Sequence, residues 1–97
     1  MELLGERGRV KFKIIKKGYF YIIEARSPYF KKYNNAYFEI RKGKSIIRPP
    51  PNEPISCNTD SCFIMNFYPR EKDGIYNCQV YINGRSEYVD EIKFYVN

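Results

Sequence analysis

Three cysteines, Cys57, Cys62 and Cys78, and the complete absence of histidine define the reactive chemistry open to this 97-residue chain. Cys57 and Cys62 enclose the polar loop NTDS, short enough to hold two Cα atoms within the roughly 4.4–6.8 Å span of a disulfide. A Cys57–Cys62 bridge is therefore expected, leaving Cys78 as a thiol. A Cys62–Cys78 bridge between neighbouring strands and a fully reduced chain are the alternatives. A zinc site fits poorly, because four intervening residues exceed the tight knuckle spacing and no histidine can complete the ligand set. No metal or other cofactor is expected. Nor is catalysis: the usual general base is missing, no G-x-S-x-G or phosphate-loop pattern occurs, and the three aspartates form no recognisable acid–base pair.

What remains is recognition chemistry, carried by cations and phenols. Residues 1 to 48 hold thirteen Lys and Arg against four acids, whereas residues 49 to 97 hold four against seven. The basic character is thus local. It would attract an acidic protein, a nucleic acid or an anionic membrane surface, and its plainest role is a solvated face. Another protein is the expected partner. The residues expected to meet it are Tyr29, Lys31, Lys32 and Tyr33 in the stretch YFKKY, together with Lys11, Lys13, Arg41, Lys42 and Lys44, because exposed tyrosines beside lysines make good contact area. The competing partner is nucleic acid: Lys16, Lys17 and Arg48 would extend the same positive surface, and Tyr19, Tyr21, Tyr29 or Tyr33 would stack on bases. No named nucleic-acid motif occurs. A subunit of a larger assembly is a third reading.

The elements that must position these groups read as strands. Aromatic residues make up 18% of the chain and apolar residues 43%, enough for a packed core. No window keeps the helical i, i+3, i+4, i+7 pattern, while β-branched and aromatic residues occupy most apolar positions. Val10, Phe12 and Ile14 alternate with lysines. Strands follow over residues 19 to 25, 36 to 40, 45 to 48, 62 to 67, 75 to 82 and within 87 to 96, giving seven to eight in all. Residues 49 to 54, PPPNEP, lack most backbone donors and read as a connector; Asn83-Gly84 reads as a type I′ hairpin turn. The expectation is an all-β antiparallel sandwich in one domain. No apolar run exceeds five residues, against about 20 for a membrane helix. The opening MELLGERGRVKFK has no signal-peptide core, so the chain is expected to be intracellular or already processed.

Residues 63 to 97 resemble the end of an immunoglobulin-like domain. Phe63 and Met65 match the inward positions of that family's strand E, Tyr68 the site that closes it, and Gly74, Tyr76 and Cys78 its G-x-Y-x-C run in strand F. The resemblance implies that the Tyr76 ring is buried and its hydroxyl bonds backbone a few residues upstream. It also implies inward positions for Val80, Ile82, Ile92, Phe94 and Val96, and an A′–B region over residues 5 to 14. There Ile14 would replace the family's cysteine and face Cys78, and Tyr19, Phe20 or Tyr21 would replace the strand-C tryptophan. Lys72 stands where the family's corner aspartate is usual, with Asp73 one place later. Abundant Lys, Ile, Tyr and Glu with a single Gln resembles proteins of hyperthermophilic archaea and of viruses. The function implied is a non-catalytic binding module.

Overall fold

The structure, a computed structural model, describes residues 2–32, 36–47, 55–57, 61–69, 71, 73–82 and 86–97; the expected proline connector, Arg48 and the Asn83-Gly84 turn lie outside them. Nine strands occur among the described residues: β1 (Glu2–Leu4), β2 (Lys11–Lys17), β3 (Phe20–Arg26), β4 (Ala36–Lys42), β5 (Ser45–Ile47), β6 (Ile55–Ser56), β7 (Cys62–Phe67), β8 (Gly74–Ile82) and β9 (Tyr88–Val96). They form two antiparallel sheets, sheet A in the order β1-β2-β3-β7-β6 and sheet B in the order β5-β4-β8-β9. The protein is an all-β two-sheet sandwich. Its strand count exceeds the expected seven to eight through β1 and β6, edge strands of three and two residues that are too short to leave an alternating signal. The YFKKY region joins a 3-10 turn over Pro28–Lys32, where proline supplies the φ of the first residue. No helix is long and apolar enough to cross a membrane.

Alternation sorts each strand between the layers. From sheet A, Phe12, Tyr21, Ile23, Ala25, Phe63, Met65 and Phe67 point inward; from sheet B, Phe38, Ile40, Tyr76, Cys78, Val80, Ile92, Phe94 and Val96 meet them in one core. Rings from the two sheets interlock: Phe67 lies edge-on to Tyr76 at 5.4 Å, and Tyr21 sits 6.1 Å from Phe94. Tyr68 is the exception to the inward pattern expected of it. Strand β7 ends at buried Phe67, and Tyr68, 42% exposed, stacks outside on Phe20 at 5.2 Å. Cys57 and Cys62 form the expected disulfide, with Cα atoms 5.1 Å apart, and Cys78 is a buried free thiol whose pKa burial pushes well up. Closing so short a loop contributes about 2 kcal/mol.

Two polar clamps tie the layers together, one at the crossing from β7 to β8 and one between β9 and a loop of sheet A. Tyr76 is fully buried, and its hydroxyl donates to the Glu71 carbonyl at 2.6 Å, five residues upstream, as the tyrosine-corner resemblance implied. Above it, Lys42 reaches the Glu71 carboxylate at 2.7 Å, and a Cβ at Gly74 would press on the Lys42 chain at 2.7 Å. The corner is thus built from Glu71, Gly74, Tyr76 and a cation from β4. Between this hydroxyl and Gly74, Asp73 takes the left-handed conformation at φ 58°, tolerated by aspartate, and turns the chain into β8.

The second clamp is Asp90. It pairs with buried Val80 in the inward phase of Ile92, Phe94 and Val96, at the end of the sandwich; the bulge between this pair and Tyr81–Tyr88 adds Val89, so Val89 and Asp90 are buried in succession. There it accepts four backbone N–H groups: Arg7 at 2.7 Å and Glu91 at 2.8 Å on one oxygen, Arg9 at 2.8 Å and Val10 at 2.9 Å on the other. The three donors from residues 7 to 10 belong to the loop between β1 and β2, so one β9 side chain holds a loop of the opposite sheet. Gly5 is required beside it, since a Cβ there would overlap the carboxylate.

Asp90→Asn turns an amide donor toward backbone donors and is expected to cost about 2–4 kcal/mol in chemical denaturation, against about 1 kcal/mol for Tyr76→Phe. The reverse effect is expected at Tyr21, whose buried hydroxyl has no partner among the described residues. Tyr21→Phe should leave stability unchanged or raise it, read as a melting temperature no lower than that of the parent protein.

Candidate recognition surfaces

The residues expected to bind do not share one surface. Lys11 and Lys13 point outward from β2 on sheet A, whereas Arg41 points outward from β4 on sheet B. Lys44 is exposed in the turn between β4 and β5, and Lys42 belongs to the Tyr76 corner. Tyr29 is exposed on the 3-10 turn, whose Phe30 is buried against Phe63 at 5.1 Å. Lys31 and Lys32 continue that turn; their side chains, and Tyr33 altogether, lie outside the described residues. Of the tyrosines offered for stacking, Tyr21 is a core residue and Tyr19 is exposed beside Tyr68 and Phe20.

Among the described residues, large apolar side chains left in solvent fall into three places. Leu4 and Tyr29 flank a cleft at the edge of sheet A, and Tyr19 and Tyr68 sit by the turn between β2 and β3. The largest group, Tyr37, Ile46, Ile75 and Tyr95, occupies the outer face of sheet B, with Ile75 63% and Tyr95 57% exposed. Register explains the grouping. Pairing places Tyr37 beside Tyr81 and Tyr81 beside Tyr88, then Glu39, Gln79 and Glu91 in the next row, then Ile46, Arg41, Asn77 and Lys93, and last Ile75 beside Tyr95. The result is a ribbon of phenols at one end and an aliphatic–aromatic pair at the other.

The side chains between these ends are held in fixed positions. Tyr37 and Tyr81 stack with ring centres 4.8 Å apart and planes 2° from parallel, Tyr88 meets Tyr81 edge-on at 6.2 Å, and the Arg7 guanidinium covers the Tyr88 ring at 4.0 Å. Arg41 bonds Glu39 at 2.9 Å and Gln79 at 3.2 Å; the Tyr81 hydroxyl donates to the same Gln79 oxygen, and Asn77 donates to Glu91 at 2.8 Å. Such a network lowers the entropy that a partner must remove on binding. Sequence reasoning missed this face, although the outward phase of Tyr37 in AYFEI and of Tyr95 in KFYV was available from alternation. The pairing of Tyr81 with Tyr88 was not, because it depends on the bulge.

The Glu24 carboxylate and the sulfurs of Cys57 and Cys62 lie within 4.8 Å of one another. Sulfurs joined in a disulfide are not the thiolates that hold metal, and Glu24 is engaged by Arg26 at 3.2 Å.

Two phenols of the ribbon, Tyr81 and Tyr88, hold their protons more firmly than a free tyrosine. Burial and then the Glu39 charge raise Tyr81; a hydrogen bond to Glu91 and then burial raise Tyr88. A raised value in the folded state means that their contribution to stability is complete below the ordinary tyrosine pKa of about 10 and is lost as pH climbs through the folded-state values. Ultraviolet titration of Tyr81→Phe and of Tyr88→Phe should each delete a phenol ionising above that ordinary value. Set beside protein-family models, curated proteins and solved structures, the chain matches none of them.

Proposed function

We propose that the protein is a non-catalytic recognition module of immunoglobulin-like topology that binds another protein through the outer face of sheet B. The topology is supported by strand order. In constant-type immunoglobulin domains the two sheets read A-B-E-D and C-F-G, a fourth strand joining the second sheet beside C in other members. The order β2-β3-β7-β6 fits the first and β5-β4-β8-β9 the second, with β1 added at an edge. On this reading β3 takes the place of strand B, one hairpin later than residues 5 to 14, and the family's strand-B cysteine has its counterpart on β3 rather than at half-buried Ile14. Likewise β4 takes the place of strand C, because it pairs with β8, putting Phe38 and Ile40 rather than Tyr19, Phe20 or Tyr21 on that strand's inner face.

The observation that carries the binding role is the concentration of fixed tyrosines and exposed apolar residues on one sheet face. Tyrosine and arginine are enriched in protein interfaces: tyrosine buries large area with few rotors lost and keeps a polar tip, and arginine offers several donors on a planar head. On sheet B, Arg41 and Lys93 offset Glu39 and Glu91, so the face carries no strong field of either sign. That suits a protein surface better than a polyphosphate, which needs a continuous run of cations. The lysines that favoured nucleic acid are divided between opposite layers.

A triple variant, Tyr37→Ser with Ile75→Ser and Tyr95→Ser, alters only exposed positions and should keep the β-sheet circular dichroism spectrum. Chemical cross-linking in the source cell, followed by mass spectrometry, should recover a protein partner with the parent chain and lose it with the triple variant. A partner retained by the triple variant, with cross-links mapping to sheet A, would contradict the assignment.

A further inference from the structure

At the edge of sheet A, away from the tyrosine face, lies a cleft of about 520 Å³. Its wall combines cationic and apolar side chains. Lys11 and Arg26 are direct neighbours across β2 and β3, both on the outer face, with Leu4 next to Lys11 across β1. Arg9 reaches over from the clamped loop, its guanidinium 5.7 Å from the centre of the Tyr29 ring. Ser27 fixes the floor: its hydroxyl donates to the Arg9 carbonyl at 2.7 Å and accepts the Tyr29 N–H at 3.2 Å, which binds the cationic loop to the 3-10 turn. Leu4, Pro28 and Tyr29 supply the apolar wall.

Charge in the cleft is one-sided. Arg9, Lys11 and Arg26 line it, with no carboxylate among the described lining residues. Glu24, just outside, takes two hydrogen bonds from Arg26 and offsets that cation, which leaves two positive charges for an occupant. The Asp90 clamp holds the backbone of Arg7, Arg9 and Val10, so the cation on this loop is positioned before any ligand arrives.

We propose that this cleft is a binding site for a phosphate monoester carried on a flat apolar body. A phosphate monoester is close to a dianion at neutral pH, matching the two uncompensated cations, and its oxygens suit the fork of a guanidinium. The wall of Leu4, Pro28 and Tyr29 accepts the ring or chain that bears it, and the volume lies within the range of small-ligand sites. The inference stands apart from the tyrosine face, which is on the opposite sheet. Tyrosine-phosphorylated protein and nucleoside monophosphate are two sources of this one chemistry.

The test titrates phenyl phosphate into the isotope-labelled full chain and follows amide resonances. Saturable shifts confined to Gly8, Arg9, Lys11, Ser27 and Tyr29 are expected, with no response to neutral phenol and a weaker one to inorganic phosphate. Lys11→Gln, at an exposed strand position, and Arg9→Gln should each reduce affinity, and together by roughly tenfold. A phosphotyrosine peptide binding more tightly than a nucleoside monophosphate assigns the source to protein, and the opposite order to nucleotide; either order upholds the site. Equal shifts around Lys16, Lys17 and Lys93, phenol binding as well as its phosphate, or undiminished affinity in the double variant would overturn it.

Discussion

A carboxylate that is fully buried and faces four backbone N–H groups, with no cation among its hydrogen-bond partners in the described residues, is the constraint around which this sandwich is arranged. Burial of an ionised group is costly unless donors replace the lost water, and four converging amides do so. They converge only because the loop between β1 and β2 folds back over the end of β9. The geometry also requires Gly5 alongside, and Asp90 in the inward phase of β9, opposite Val80. Remove any one of these and the carboxylate is left in an apolar end cap without its partners.

Seen this way, the two clamps divide the labour. Asp90 joins the start of the chain to its last strand, while the phenol of Tyr76 joins the corner after β7 to β8. Each links the two layers at a point where the aromatic core alone would allow sliding. With both contacts fixed, the sheet faces become rigid platforms: one carries the tyrosine ribbon and the other borders the cationic cleft. The edge of β9 is also managed. Its Glu91 carbonyl accepts the Glu6 N–H at 2.9 Å and its Tyr88 carbonyl accepts Arg7, so a long edge strand presents fewer open groups to a second chain.

Period-two alternation made the longer strands readable, since residues such as Phe63, Met65, Val80 and Phe94 each follow from their neighbours. The resemblance carried by Gly74, Tyr76 and Cys78 implied a corner, and the NTDS loop announced a disulfide because that depends on local chain geometry. Asp90 was harder to read: it shares the inward phase of Ile92, Phe94 and Val96, but the loop amides that satisfy its carboxylate come from the other end of the chain. The placement of the lysines was equally hidden, because their sheet is decided by strand order and not by the strand they occupy. Short edge strands such as Ile55–Ser56 carry too few residues for any period, and their pairing comes from β7.

Native-state hydrogen exchange measures the central constraint residue by residue. If Asp90 holds the two layers together, the amides of Arg7, Arg9 and Val10, although they lie in or beside a surface loop, exchange only with global unfolding, alongside those of Cys78 and Val80. Exchange of the three loop amides at the rates of exposed loops, while the β8 amides stay protected, would show that the carboxylate does not bind the sheets together.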